Sequence, residues 1–128
     1  MVRFAGYAAV FDVADRGGDV VRKGAFAGAQ AVPLLWQHGG PPVGRIEAVG
    51  EDARGLRVIG RLGDARLAAL VAAGGVTGLS FGYRVRTARR GRFRELTGLE
   101  LIEVSLVAQP MQPLARVHAV ETLVGENA

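Results

Sequence analysis

A chain of 128 residues with 49% apolar side chains can fill one sizeable core, and that composition excludes a disordered polypeptide. It contains no cysteine, which removes disulfides and thiolate metal sites and suits a reducing compartment. The net charge of +4 rests on arginine, with Lys23 as the one lysine, so an acidic partner or nucleic acid is admissible, as is the plain arginine usage of a GC-rich genome.

No apolar run approaches the ~20 residues of a membrane helix, and the N-terminus lacks the basic-then-apolar layout of a secretion signal. The expectation is one soluble intracellular domain over residues 1–128.

In chain order, residues 3–11 set small residues between aromatics and read as a strand. Residues 12–19 follow as a loop; Asp12, Asp15 and Asp19 miss the Asp-x-Asp-x-Asp-Gly register of a calcium loop, so turn chemistry explains them and no metal site is expected. Residues 20–29 give a short strand and then one or two helical turns. Residues 32–38 form a strand with Pro33 near its start, closed by a Gly39-Gly-Pro-Pro42 loop. Residues 43–49 and 56–62 alternate apolar and charged positions and make a hairpin around a turn at 51–55. Asp64 caps a helix over residues 65–73, with Leu67, Leu70 and Val71 on one face and Gly74-Gly75 as the stop. The Ser80 strand leads to a basic hairpin tip at 88–92 and a short run at 93–96. Residues 99–107 form a strong strand broken by Pro110 and Pro113, and residues 115–124 form one more strand or short helix. The sum is a mostly-β fold: a small closed antiparallel β-barrel of about seven strands with one or two short helices.

The central stretch is Val76-Thr-Gly-Leu-Ser-Phe-Gly-Tyr-Arg-Val-Arg86, which sets Ser80 between two glycines in an apolar run. Gly78-Leu-Ser-Phe-Gly82 matches the Gly-x-Ser-x-Gly nucleophile elbow, but an elbow needs a helix after the serine. Residues 83–87 alternate like a strand instead. Ser80 is therefore the nucleophile of a β-type serine hydrolase or a small residue that permits close packing.

A serine hydroxyl needs a neighbour to take its proton. His38, at a strand end beside a glycine-rich loop, is of the type that exchanges protons near neutral pH. Taken singly, it is also an ordinary structural histidine, as is His118. Glu103 lies in Leu101-Ile-Glu-Val-Ser-Leu-Val107, where a charge demands a partner. Strand alternation sets it on one face with Leu101, Ser105 and Val107. It is a candidate orienter for a histidine, or one half of an ion pair with an arginine; Ser105 reads as a packing or hydrogen-bonding residue. A rival set, Ser80, Glu103 and His118, has the α/β-hydrolase order, but that fold needs a parallel βαβ pattern that is missing here.

Several segments together resemble the prohead (capsid-maturation) serine proteases of tailed phages and gene transfer agents, relatives of the herpesvirus assembly proteases. They are Phe4-Ala-Gly-Tyr-Ala-Ala-Val-Phe11, Gly18-Asp-Val-Val-Arg-Lys-Gly-Ala-Phe26, Val32-Pro-Leu-Leu-Trp-Gln-His38, Val43-Gly-Arg45, Gly55-Leu-Arg-Val58, Gly78-Leu-Ser-Phe-Gly-Tyr83 and Leu101-Ile-Glu-Val-Ser-Leu-Val107. The resemblance implies a closed β-barrel with His38 as base, Ser80 as nucleophile and Glu103 as third member. It also implies oxyanion donors in the turn from Ala108 to Met111, at Gln109 and Met111. It implies no cofactor and a substrate in the major capsid protein or scaffold protein, or in the chain itself, cleaved inside the assembling procapsid in the cytoplasm; a homodimer is compatible with it. Two other readings stand beside this one. The first is a catalytically silent scaffold- or capsid-binding barrel. The second is a nucleic-acid-binding barrel using Arg84, Arg86, Arg89, Arg90, Arg92 and Arg94, which is disfavoured because only Tyr83 and Phe93 are near to stack on bases.

Overall fold

The computed structural model describes residues 1–123. Among them the order is β1 (Val2–Val10), β2 (Asp19–Val21), β3 (Pro33–Trp36), β4 (Gly39–Glu51), β5 (Gly55–Leu62), α1 (Ala65–Ala72), β6 (Gly78–Arg90), β7 (Arg94–Val107) and β8 (Val117–Thr122). Residue 124, the end of the last expected element, lies outside the described residues.

Alternation drives the strands. In β5, Leu56, Val58 and Leu62 are buried while Arg57 faces solvent. Each apolar side chain so buried contributes about 1.5–3 kcal/mol, which favours this register over a one-residue slip that would expose them all. The core gathers Phe4, Leu34, Ile46, Leu56, Leu62, Leu79, Leu96 and Leu106, all fully buried. Helix α1 begins where expected: the Asp64 carboxylate accepts the Leu67 amide at 3.0 Å. It ends in a Schellman pair, Gly75 N–H to Leu70 C=O at 2.8 Å and Gly74 N–H to Val71 C=O at 3.1 Å, with Gly74 at φ +77°. Its buried face is Leu67, Ala68 and Val71; Leu70 lies outside that face and is largely exposed. No helix among the described residues is long and apolar enough to cross a membrane.

Among the described residues the sheet has eight strands, in the order β2-β7-β3-β4-β5-β1-β8 with β6 on the other side of β7. Two expectations are corrected here. The barrel is not closed: among the described residues β6 forms a ladder with β7 alone, and its pairing with the chain ahead of β8 is limited to the isolated Gly78–Arg116 bridge. The segment 108–116 turns and carries two prolines that cannot donate, so β8 begins only at Val117, too late to run beside β6. Nor is the sheet antiparallel throughout. β7, 14 residues long, takes β2 in parallel at its start (Asp19 opposite Arg94) and β3 in parallel near its end (Leu35 opposite Ser105). The expected helical turns within 20–29 are successive tight turns instead, closed by Ala25 N–H to Arg22 C=O, Ala27 N–H to Gly24 C=O and Ala29 N–H to Phe26 C=O.

The β2–β7 seam carries a charge clamp. Arg94 donates from Nε to Asp19 Oδ1 at 2.9 Å and from Nη2 to Oδ2 at 2.7 Å. This bond, before all else, holds the Asp19 carboxyl below its ordinary value. The Tyr7 hydroxyl donates to Asp52 and lowers that carboxyl in the same way. Each carboxyl binds a proton less readily folded than unfolded, so its contribution is whole above the usual aspartate range and lost as pH falls through and below it. Stability to urea is therefore expected to decline below about pH 4. Asp19→Asn should flatten that decline, by less than about 1 kcal/mol because the Arg94 end of the pair is half exposed. An unchanged acid slope in Asp19→Asn would remove the clamp from the account.

Candidate active site

His38 is delivered by a turn. Trp36 pairs with Gly39, so Gln37 and His38 are the two loop residues of the β3–β4 hairpin, and both have positive φ, 53° and 60°. The glycine-proline run expected as a loop is the start of β4. Pro41 and Pro42 fit there because β5 pairs with β4 only from Gly44 onward, leaving that stretch an edge. Tight hairpins of this hand ordinarily use Asn-Gly; a glutamine and a histidine in left-handed conformation cost on the order of 1–3 kcal/mol each.

The strain is held by hydrogen bonds to β7 and to the segment just after it. The Gln37 amide donates to Leu106 C=O at 3.0 Å, the Ala108 amide donates to Gln37 Oε1 at 2.8 Å, and the His38 amide donates to Ser105 Oγ at 3.0 Å. The effect is to fix the imidazole over β7.

There it meets Glu103. His38 Nδ1 and Glu103 Oε1 lie 2.5 Å apart, and Ser105 Oγ donates to Glu103 Oε2 at 2.7 Å. The Glu103 side chain is only 10% exposed and that of His38 is 41% exposed. A buried carboxylate accepts hydrogen bonds, so the neutral imidazole carries its proton on Nδ1 and presents a lone pair at Nε2.

The face that Glu103 shares differs in one member from the simple alternation. Gly82 pairs with Glu103 and Tyr83 with Leu101, which makes Ile102 the extra residue of a β-bulge. Neighbouring Gly82 and Tyr83 point to opposite faces, so Leu101 goes with Tyr83 toward the core and leaves Glu103, while Ile102 is turned out to 44% exposure. Glu103 keeps Ser105 on its own face. Opposite that pair, on β6, stand Gly82 and Ser80, with Ser80 directly across from Ser105.

This arrangement explains the glycine two residues after the serine. A Cβ at Gly82 would collide with the Glu103 side chain, so Gly82 is the seat of the carboxylate and not part of an elbow. The sequence reads Gly82 only as an aid to close packing at Ser80, and it assigns no role to Gln37. Ser105, read as a packing or hydrogen-bonding residue, does make hydrogen bonds.

Ser80 is 7% exposed, and its Oγ makes no hydrogen bond among the described residues while staying open to solvent. It borders a cleft of about 60 Å³ whose lining, mostly apolar, includes Ala8, Leu79, Phe81, Met111 and Asp15. Of the two residues expected as oxyanion donors, Met111 lines this cleft beside Ser80, and its carbonyl accepts from the Arg16 amide at 3.0 Å. Gln109 does not line it; its side chain accepts from Arg16 Nη1 at 3.3 Å. His118 lies on β8 with its ring 5.5 Å from that of Tyr7 and makes no hydrogen bond to Ser80 or Glu103 among the described residues, whereas Glu103 is taken by His38. No cluster of metal-ligating side chains occurs among the described residues.

The profile of the caudovirus prohead serine proteases matches residues 1–127. The chain belongs to that family. One relative of this prohead protease family member is the prohead protease of Enterobacteria phage HK97, 38% identical over an alignment of 94 residues that covers 64% of this chain and 42% of that protein. The match thus spans less than half of the curated relative. Among solved structures, a Kaposi's sarcoma herpesvirus protease in complex with a hexapeptide phosphonate inhibitor superposes with a TM-score of 0.67 at 12% identity, over 95% of this chain and 65% of the other. The varicella-zoster virus protease superposes with a TM-score of 0.61 at 16% identity, over 95% of this chain and 64% of the other. At those identities the likeness concerns the fold, which this prohead protease family member shares with them.

Proposed function

We propose that this chain is a serine endopeptidase of procapsid maturation, acting as one protease domain inside the immature shell in the host cytoplasm. The observation that carries the reading is the His38–Glu103 contact, held on β7 directly beside the Ser80 strand in a chain of the prohead serine protease family. Ser80 Oγ attacks the carbonyl carbon of a peptide bond and passes its proton to His38 Nε2. Glu103 steadies the imidazolium so formed. The oxyanion of the tetrahedral intermediate is met by backbone amides of the 108–111 turn, Gln109 and Met111 being the candidates. His38 then gives the proton to the leaving amine, and water releases the acyl group from Ser80 by the same steps reversed.

The hydrogen bond from Ser80 to His38 that this requires is of the kind that commonly tightens only with substrate in place. The substrates are the major capsid protein or a scaffold protein, and the chain itself. The basic ribbon beyond Tyr83 does not compete as a nucleic-acid site. Arg84 and Arg86 face Glu100, Arg89 faces Glu95 and Arg94 is clamped by Asp19, the pattern of a solvated charged face.

Coexpression with the cognate capsid precursor should yield a shortened capsid band with a new N-terminus, and a fluorophosphonate should label Ser80 and no other residue. Label on another serine, or intact capsid protein alongside an unlabelled Ser80, would leave the silent capsid-binding reading in its place.

A further inference from the structure

Glu103 has two oxygens, and His38 uses one. The other is occupied by the Ser105 hydroxyl, and that same hydroxyl receives the backbone amide of His38. A carboxylate cannot donate and an amide cannot accept, so the direction of both bonds is forced: His38 N–H to Ser105 Oγ, and Ser105 O–H to Glu103 Oε2. With His38 Nδ1–H to Glu103 Oε1 the circuit closes on the residue where it began. Backbone and side chain of one histidine are tied to one carboxylate through one serine.

Resting on the reading of His38 as the base, we propose that Ser105 is a positioning residue that locks the histidine tautomer by anchoring both the carboxylate and the strained turn. Ser105 is fully buried, and it lies one pair before the end of the parallel β3–β7 ladder, from which the Gln37–His38 turn departs. Without its hydroxyl, Glu103 loses the bond that stops its carboxylate rotating about the last side-chain torsion, a broad and soft one. The His38 amide in turn loses the acceptor that helps keep a left-handed backbone in place. Both losses act on the imidazole, and neither touches substrate. Bonds in such a ring also polarise one another, so breaking one weakens the rest.

The test uses the ¹⁵N shifts of the two His38 ring nitrogens at a pH where the ring is neutral, in the Ser80→Ala background to prevent self-cleavage. With Ser105 present the proton should reside on Nδ1 alone. Ser105→Ala should move both nitrogens toward the average of the two tautomers, and Ser105→Thr, which restores a hydroxyl, should move them back. With Ser80 intact, Ser105→Ala should slow fluorophosphonate labelling by about tenfold to a hundredfold, the effect of removing a group that orients a metal-bound histidine, and displace the pH midpoint of labelling. An Nδ1-only tautomer in Ser105→Ala, with wild-type labelling, would show that Ser105 merely fills space. If the wild type itself is never labelled, the protease reading fails, and the nitrogen shifts still decide the role of Ser105 independently.

Discussion

Ser80→Ala and His38→Ala are each expected to abolish peptide-bond cleavage, by roughly 10⁴-fold or more, and the double variant should be no worse than either alone. The equality follows from the chemistry. A nucleophile without its base and a base without its nucleophile are equally idle, so the second removal takes nothing further away. Stability should separate the two variants. The Ser80 hydroxyl makes no hydrogen bond among the described residues, and deleting it should leave the urea midpoint within about 0.5 kcal/mol of wild type. His38 is the partner of a carboxylate that is only 10% exposed, and its removal strands that charge, so His38→Ala should unfold earlier. Cleavage assays on a capsid precursor with parallel denaturation curves measure both. Persistent cleavage in Ser80→Ala defeats the assignment of the nucleophile, and additive losses in the double variant defeat the assignment of a coupled pair.

How much of this was legible in the chain depends on the range of the interaction. Asp64 and Gly74 announce the two ends of α1 because caps are made within a few residues of the groups they satisfy. Glu103 stands out because a charge in an apolar strand must find a partner, and His38 because little else in the sequence can take a proton near neutrality.

Pairing over distance was not legible. Nothing local says that β7 accepts two parallel strands from separate segments, or that β6 stops short of β8. The bulge at Ile102 is equally silent, since an inserted residue leaves the apolar spelling of the strand intact while reversing the face of Leu101. The turn that carries His38 breaks the usual preference, using Gln-His where Asn-Gly is normal. It is stable only through acceptors and donors on β7 and beyond it, Ser105 lying 67 positions away. Gly-x-Ser-x-Gly was visible from the outset, yet its second glycine serves a residue on the neighbouring strand, and only the register reveals that.

The carboxylate can be disturbed in two ways that should converge on one phenotype. Glu103→Gln preserves shape but not hydrogen-bond logic. If the carboxamide oxygen faces Ser105, its NH₂ faces His38 Nδ1, which must then accept, and the ring proton moves to Nε2 where the base is needed. If the amide is turned over, Nδ1–H is still accepted, but the Ser105 hydroxyl loses its acceptor and the imidazolium loses its counter-charge. Either way turnover should fall by roughly 10³–10⁴-fold with little change in KM. Gly82→Ala should reproduce much of this loss while leaving His38, Ser80 and Glu103 in the chain, because the new methyl occupies the space of the Glu103 side chain and pushes it off the imidazole. The two effects act through one group, so they should not add. In a Glu103→Ala background, where nothing fills that space, Gly82→Ala should cost almost no further activity. Full activity in Gly82→Ala, or an equal penalty with and without the carboxylate, would mean that the glycine serves the backbone of β6 and that the seat of Glu103 lies elsewhere.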